Sequence, residues 1–286
     1  MTAAAALGLL AAVAASVAFN VGIVLQAADA RREPASESLR LSLLAHLVRR
    51  RRWIVGLLLG WAGFFLQVVA LSLLPFVVVQ PVLAAGLLLM LYLGVRMLGE
   101  RVGVAEVVGV LGITAGIGLL AWGTPSGTGT VSSQPGAISV MVAMTLVALV
   151  PFALRGRGRL DSATFVIVAS ALAFGAGNIA TKLLSDGVDQ GAWLLVGIWL
   201  AVTIGTGVIA LTTEMTALQR RPATFVVPVS FAIQTFFPVA LEPLFLSERW
   251  STAALGGVPL IVGLVMVGLG AVAVARTRAV SALVSG

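Results

Sequence analysis

Charged residues in this chain are confined to short clusters. Between them run seven uncharged, strongly apolar stretches: 1–28, 53–95, 107–154, 162–181, 190–213, 222–241 and 250–275. Crossing the hydrocarbon core of a bilayer takes about 20 apolar residues of helix, so each stretch is long enough to span and two are long enough to span twice. Ser72-Leu-Leu-Pro75 divides one of the long stretches and the polar run from Thr124 to Pro135 divides the other. The pattern predicts nine helices, near residues 3–28, 53–74, 76–98, 103–123, 137–154, 162–184, 191–217, 222–246 and 251–275. No ten-residue alternation of apolar and polar positions occurs, which excludes a barrel. The expected fold class is an all-α polytopic membrane protein. The first stretch has no basic n-region and exceeds a signal h-region, so it is expected to be an uncleaved first span.

Composition strengthens this reading. With 59% hydrophobic residues and 32 glycines, the chain lies far from the soluble range. A net charge of +7 would suggest nucleic acid in a soluble protein, but here arginines sit in loops between spans, where they mark the cytoplasmic side. If the loop 29–52 is cytoplasmic, alternation through nine spans places sixteen of the eighteen basic residues inside. The expected placement is the cell inner (plasma) membrane, with the N-terminus outside and the C-terminus cytoplasmic; no nucleic-acid partner is expected. Trp53, Trp122, Trp193 and Trp250 fall at span ends, where interfacial indoles belong. Within 29–52, the segment from Leu39 to the run Arg49–Arg52 is too short to span and predicts an amphipathic helix on the cytoplasmic leaflet.

The prolines expose an internal repeat. Pro75 and Pro81 recur 147 positions later as Pro222 and Pro228, while Leu98-Gly-Glu100-Arg101 recurs as Leu246-Ser-Glu248-Arg249, shifted by 148. This predicts two inverted four-helix repeats joined by a linker helix. Their expected bounds are 1–123 for the first, 124–160 for the linker helix and its loops, 161–276 for the second, and 277–286 for a cytoplasmic tail. Inverted repeats let two halves rock around a central site, the architecture of secondary transporters.

The region from Gly56 to Gly123, with Pro75-x5-Pro81, the Leu98-Gly-Glu-Arg101 turn and a glycine-rich helix after it, resembles the drug/metabolite transporter (EamA-like) superfamily. The nine-span layout, with a basic non-spanning segment after the first helix, is most similar to the NIPA-type magnesium transporters. The resemblance implies a secondary transporter working by alternating access, with Mg2+ or another small cation as expected cargo. A small organic metabolite or amphipathic compound is the alternative, and a non-transporting scaffold or accessory subunit is the alternative of another class.

Polar residues at depth within apolar spans are the candidates for substrate binding. They are Asn20, Gln67, Gln80, Asn178, Glu214, Gln234 and Glu242, with Glu214 and Glu242 as the oxygen donors if Mg2+ is carried. Pro75, Pro81, Pro222, Pro228, Pro238 and Pro243 are candidate helix breaks and gating points. Trp61, Phe64, Phe65, Trp199, Phe236 and Phe237 would surround an organic cargo. Gly56-x3-Gly60 and Gly112-x3-Gly116 permit close helix approach, inside the bundle or at the seam of a homodimer. The single histidine, the absence of cysteine, and the absence of zinc-protease and P-loop motifs predict no enzyme activity, no cofactor and no ATP-driven pumping by this chain.

Overall fold

The computed structural model describes residues 3–123, 134–155, 162–241 and 254–284. Among them no strand occurs. Ten helices follow in order: α1 (Ala3–Ala30), α2 (Leu41–Leu47), α3 (Arg51–Leu73), α4 (Phe76–Leu98), α5 (Val104–Gly123), α6 (Gln134–Ala153), α7 (Ala163–Asp189), α8 (Trp193–Arg220), α9 (Ala223–Leu241) and α10 (Val258–Val284). All but α2 are long and apolar enough to cross a membrane, giving nine candidate spans among the described residues. The protein is a multi-pass membrane protein. Large apolar side chains such as Leu194, Leu58 and Leu269 stand exposed on its flanks, as contact with lipid tails requires.

Packing follows the same plan in both halves. α1 packs chiefly on α3 and then on α4, and α4 packs on α5; α7 packs chiefly on α8 and also on α9, with α6 as an additional neighbour on its flank, and α9 packs on α10. The two halves meet where α5 crosses α10 and where α4 meets α9. The α5–α10 crossing depends on absent side chains. A Cβ on Gly109 would press on the Gly270 carbonyl and one on Gly270 on the Gly109 carbonyl, and Gly116 and Gly263 repeat the arrangement one contact further along. Gly56 of the first predicted glycine pair meets Gly22 in the same way, whereas Gly60 faces open space. Matching starts also mark the halves: the Pro75 carbonyl accepts from the N–H groups of Val78 and Val79, and the Pro222 carbonyl from those of Phe225 and Val226.

The ends of α1, α4, α6 and α8 gather with the start of α9 into one strongly basic end. There the Arg31 guanidinium pairs with Glu100, Arg155 donates to the Ser36 carbonyl at 2.9 Å, and Ser38 donates to Gln219 at 3.0 Å. Two carboxylates at this end cap helices other than their own. Asp29 of α1 accepts from the Trp53 N–H at 3.1 Å at the start of α3, and Glu100 accepts from the N–H groups of Ala223 and Thr224, each at 2.7 Å, at the start of α9. Burial raises the Glu100 carboxyl, but hydrogen bonds from Thr224, Arg31 and Ala223 together outweigh it and hold it below the ordinary glutamate range.

Two expectations at this end need correction. The segment after α1 is not a helix resting on the leaflet alone: only Leu41–Leu47 is α-helical, and its Leu43 and Leu47 are fully buried in the bundle core. Trp53 is 1% exposed, so it is no interfacial indole; its Nε1–H points at the Met215 sulfur, 3.3 Å away. Both follow from tertiary contacts with α8 that no local pattern announces. Trp122 and Trp193 are exposed as expected, and Trp250 lies outside the described residues.

Candidate functional site

Every deeply buried polar group in a lipid-embedded bundle must find a partner or a wet cavity. In this protein several find a cavity. A space of about 370 Å3 opens between α1, α3 and α4 of the first half and α7, α8 and α9 of the second. Asn20, Gln67, Gln80, Glu214 and Gln234 line it together. By helix rise, Gln80 lies about 6 Å inside the start of α4 and Glu214 about 9 Å inside the end of α8, so the lining covers roughly 20 Å of bundle height.

Glu214 is the charged candidate of the site. It is 5% exposed, and its Oε2 accepts from the Ser170 hydroxyl of α7 at 2.5 Å and the Ser230 hydroxyl of α9 at 3.2 Å. Among the described residues no Arg, Lys or His pairs with it, in contrast with Asp29, Glu33, Glu100 and Asp186. Lys182 is held by Asp186 at 2.8 Å on the same helix. The glutamines around the cavity are similarly unsupplied: the side-chain amides of Gln67, Gln80 and Gln234 bond to no other described residue. Asn20 differs, because its Nδ2 donates to the Ser16 carbonyl at 2.7 Å. Gly86 of α4 makes room for it, since a Cβ there would collide with the Asn20 amide and the Ser16 hydroxyl.

Other candidates lie elsewhere. Asn178 is exposed on α7, one turn beyond Phe174, and does not line the cavity. Glu242 and Pro243 fall outside the described residues. Pro75 and Pro222 stand immediately before α4 and α9, while Pro81, Pro228 and Pro238 lie within those helices. The expected aromatic enclosure also needs correction. Trp61, Phe64 and Phe65 meet one another, largely edge to face, on the exposed face of α3, because its opposite stripe, Trp53, Gly56, Gly63 and Ala70, is buried. Trp199 packs against the α6–α7 core, Phe236 borders a groove against α10, and Phe237 is exposed; the rings in the cavity are Phe19, Phe174 and Phe231.

Sequence reasoning missed Ser170, Ser230 and Gln26. A serine in an apolar span satisfies itself on its own helix as readily as across helices, so only the convergence of α7, α8 and α9 singles out these two. Gln26, also a lining residue, stands close to the end of the first predicted span, where a polar side chain can reach the interface. Among the described residues no three His, Asp or Glu side chains converge as a metal-binding group. A cation in this cavity would be held by one carboxylate, amide and hydroxyl oxygens, and waters of its own, the coordination Mg2+ tolerates.

Comparison with known proteins gives distant relatives. Over 282 residues the chain is 26% identical to the probable magnesium transporter NIPA9 of Arabidopsis thaliana, covering 91% of this chain and 79% of that protein. It is 32% identical over 114 residues to an uncharacterised protein of Corynebacterium glutamicum, a match spanning 40% of this chain and 39% of that relative's length. No family model matches, and no solved structure does. The chain is thus a helical membrane protein with distant similarity, over most of its length, to a probable transporter.

Proposed function

We propose that this protein is a secondary transporter of a small cation, with Mg2+ as its leading cargo, and that it works by alternating access between two inverted repeats, 1–123 and 161–276. The observation that carries the reading is the cavity between the two halves, with Glu214 facing it and no basic side chain among the described residues neutralising it. The corresponding helix pairs of the halves, α1 on α3 and α4 against α7 on α8 and α9, and the similarity to a probable magnesium transporter support it. About 370 Å3 is ample for a cation that keeps its water shell, since six waters at about 30 Å3 each take roughly 180 Å3. The gathering of arginines at one end supports an orientation with that end cytoplasmic and the N-terminus outside, as expected of a transporter in the plasma membrane.

A second reading has its own support. Phe19, Phe174, Phe231, Leu83 and Leu87 give the cavity an apolar wall suited to an amphipathic organic solute. Proteoliposomes loaded with a Mg2+-sensitive dye decide between the two. Uptake by the wild type that collapses in Glu214→Gln is the expected result. Uptake equal in both proteins overturns the carboxylate site, and no uptake by a folded wild type, together with ligand-dependent thermal stabilisation by organic solutes, selects the second reading.

A further inference from the structure

The acidic residues described at the basic end are all engaged. Glu100 holds Arg31 and the start of α9; Glu33 holds Arg50 at 2.6 Å and lies 3.6 Å from His46; Asp29 caps α3; Glu37 accepts from Ser42; and Glu106 accepts from the Gly103 N–H at 2.9 Å. Arg40, Arg49, Arg51 and Arg52 are left exposed, and none pairs with a described acidic residue. Arg40 and Arg49 bracket α2, and Arg51 and Arg52 open α3. Within the next two turns of α3 the exposed side chains include Ile54, Val55 and Leu58, which must face hydrocarbon. That fixes the level of the arginines: they stand at the headgroup layer. Leu41, 65% exposed, and Val48, 48% exposed, lie between the arginines on the same strap, an apolar complement for acyl chains.

We propose that Arg40, Arg49, Arg51 and Arg52 form a binding surface for anionic phospholipid headgroups, and that the bound lipid holds the α2 strap against α8. Guanidinium groups suit the purpose because they bind phosphate oxygens in pairs and keep their charge at any physiological pH. The strap and the start of α3 meet α8 beside the cavity carboxylate: the Leu39 N–H donates to the Thr216 hydroxyl at 3.0 Å and the Trp53 indole of α3 to Met215, the residue after Glu214. Leu39 adopts a left-handed backbone, φ 57°, which a β-carbon disfavours, so this docking needs support from its surroundings. The lipid surface stands independently of the transport reading.

The test uses the full chain in nanodiscs of phosphatidylcholine alone or with one part in four phosphatidylglycerol, comparing wild type with a variant carrying R40Q, R49Q, R51Q and R52Q. Hydrogen exchange of the peptide covering Leu39–Leu47 should slow several-fold with phosphatidylglycerol in the wild type and stay unchanged in the variant. Retention of phosphatidylglycerol through purification should fall on the order of tenfold or more in the variant. Arginine-to-lysine replacement at the four positions should restore part of both effects, which separates charge from misfolding. Wild-type exchange indifferent to the lipid, or a variant that responds like the wild type, overturns the proposal. Equal protection by inorganic phosphate in pure phosphatidylcholine discs also overturns it, since the surface would then be a site for free anions.

Discussion

Glu100 and Glu214 are both buried carboxylates in an apolar chain, yet their surroundings differ in kind. Glu100 accepts from two backbone N–H groups at the start of α9 and pairs with Arg31, so its charge is met from three directions. Glu214 has two serine hydroxyls and a cavity. A charge supplied by fixed donors and a cation is a structural joint, since nothing else has room to approach it. One supplied by hydroxyls alone retains attraction for an incoming cation or donor. Position agrees: Glu100 joins α1, the α4–α5 turn and α9 at the basic end, and Glu214 faces the space between the halves.

The largest expected effect falls on the joint. Glu100→Ala leaves Arg31 and the α9 start without their partner and should cost about 3–5 kcal/mol of unfolding stability, read by thermal or denaturant unfolding in detergent. Because the folded Glu100 carboxyl lies below the ordinary range, its contribution is fully present at neutral pH. It should be lost as pH falls below about 4.3 towards the folded value, and Glu100→Gln should flatten that part of the stability profile. If Glu214→Gln destabilises the fold as much as Glu100→Ala, the contrast between joint and site is wrong.

Next comes the seam between the halves. Gly270→Leu places a side chain against the Gly109 carbonyl and should cost about 1–3 kcal/mol, measured in the same unfolding assay. Glu214→Gln should leave stability within about 1 kcal/mol of wild type, while lowering cation uptake at least about tenfold, equivalent to about 1.4 kcal/mol. The smallest effect belongs to the amides. Gln67→Ala or Gln234→Ala should each reduce uptake a few-fold, about the loss of one hydrogen bond of 0.5–1.5 kcal/mol, with stability unchanged because neither amide bonds to a described residue. Gln67→Glu is the sharpest variant of this group, since Gln67 stands 147 positions before Glu214 and lines the same cavity. A second carboxylate there should strengthen cation binding, measured by calorimetry.

Much of this molecule is legible in the chain because membrane residence is written locally. A helix that must cross lipid satisfies its own backbone, so its bounds follow from the uncharged run, the prolines that divide it and the charges that flank it; the predicted span 76–98, opened by Pro75, coincides with the observed Phe76–Leu98 for that reason. Asn20, Gln67, Gln80, Glu214 and Gln234 were legible as candidates by the same logic, polarity at a depth where it is costly. What polarity cannot convey is which way a residue faces. Asn178 has the same depth and chemistry as Asn20 and ends up exposed, while Trp61, Phe64 and Phe65 turn away from the cavity because α3 buries its glycine stripe.

The sequence by itself determined the helical membrane fold, the nine-span count, the concentration of arginine at one end and the short roll of polar residues worth considering. These depend on composition and spacing along one helix at a time. Tertiary structure alone decided that Ser170 and Ser230 meet Glu214, that Glu100 caps a helix of the other half, and that α2 docks into the bundle by Leu43 and Leu47. Each of those contacts joins residues distant in sequence, and its energy exists only once helices have chosen their neighbours.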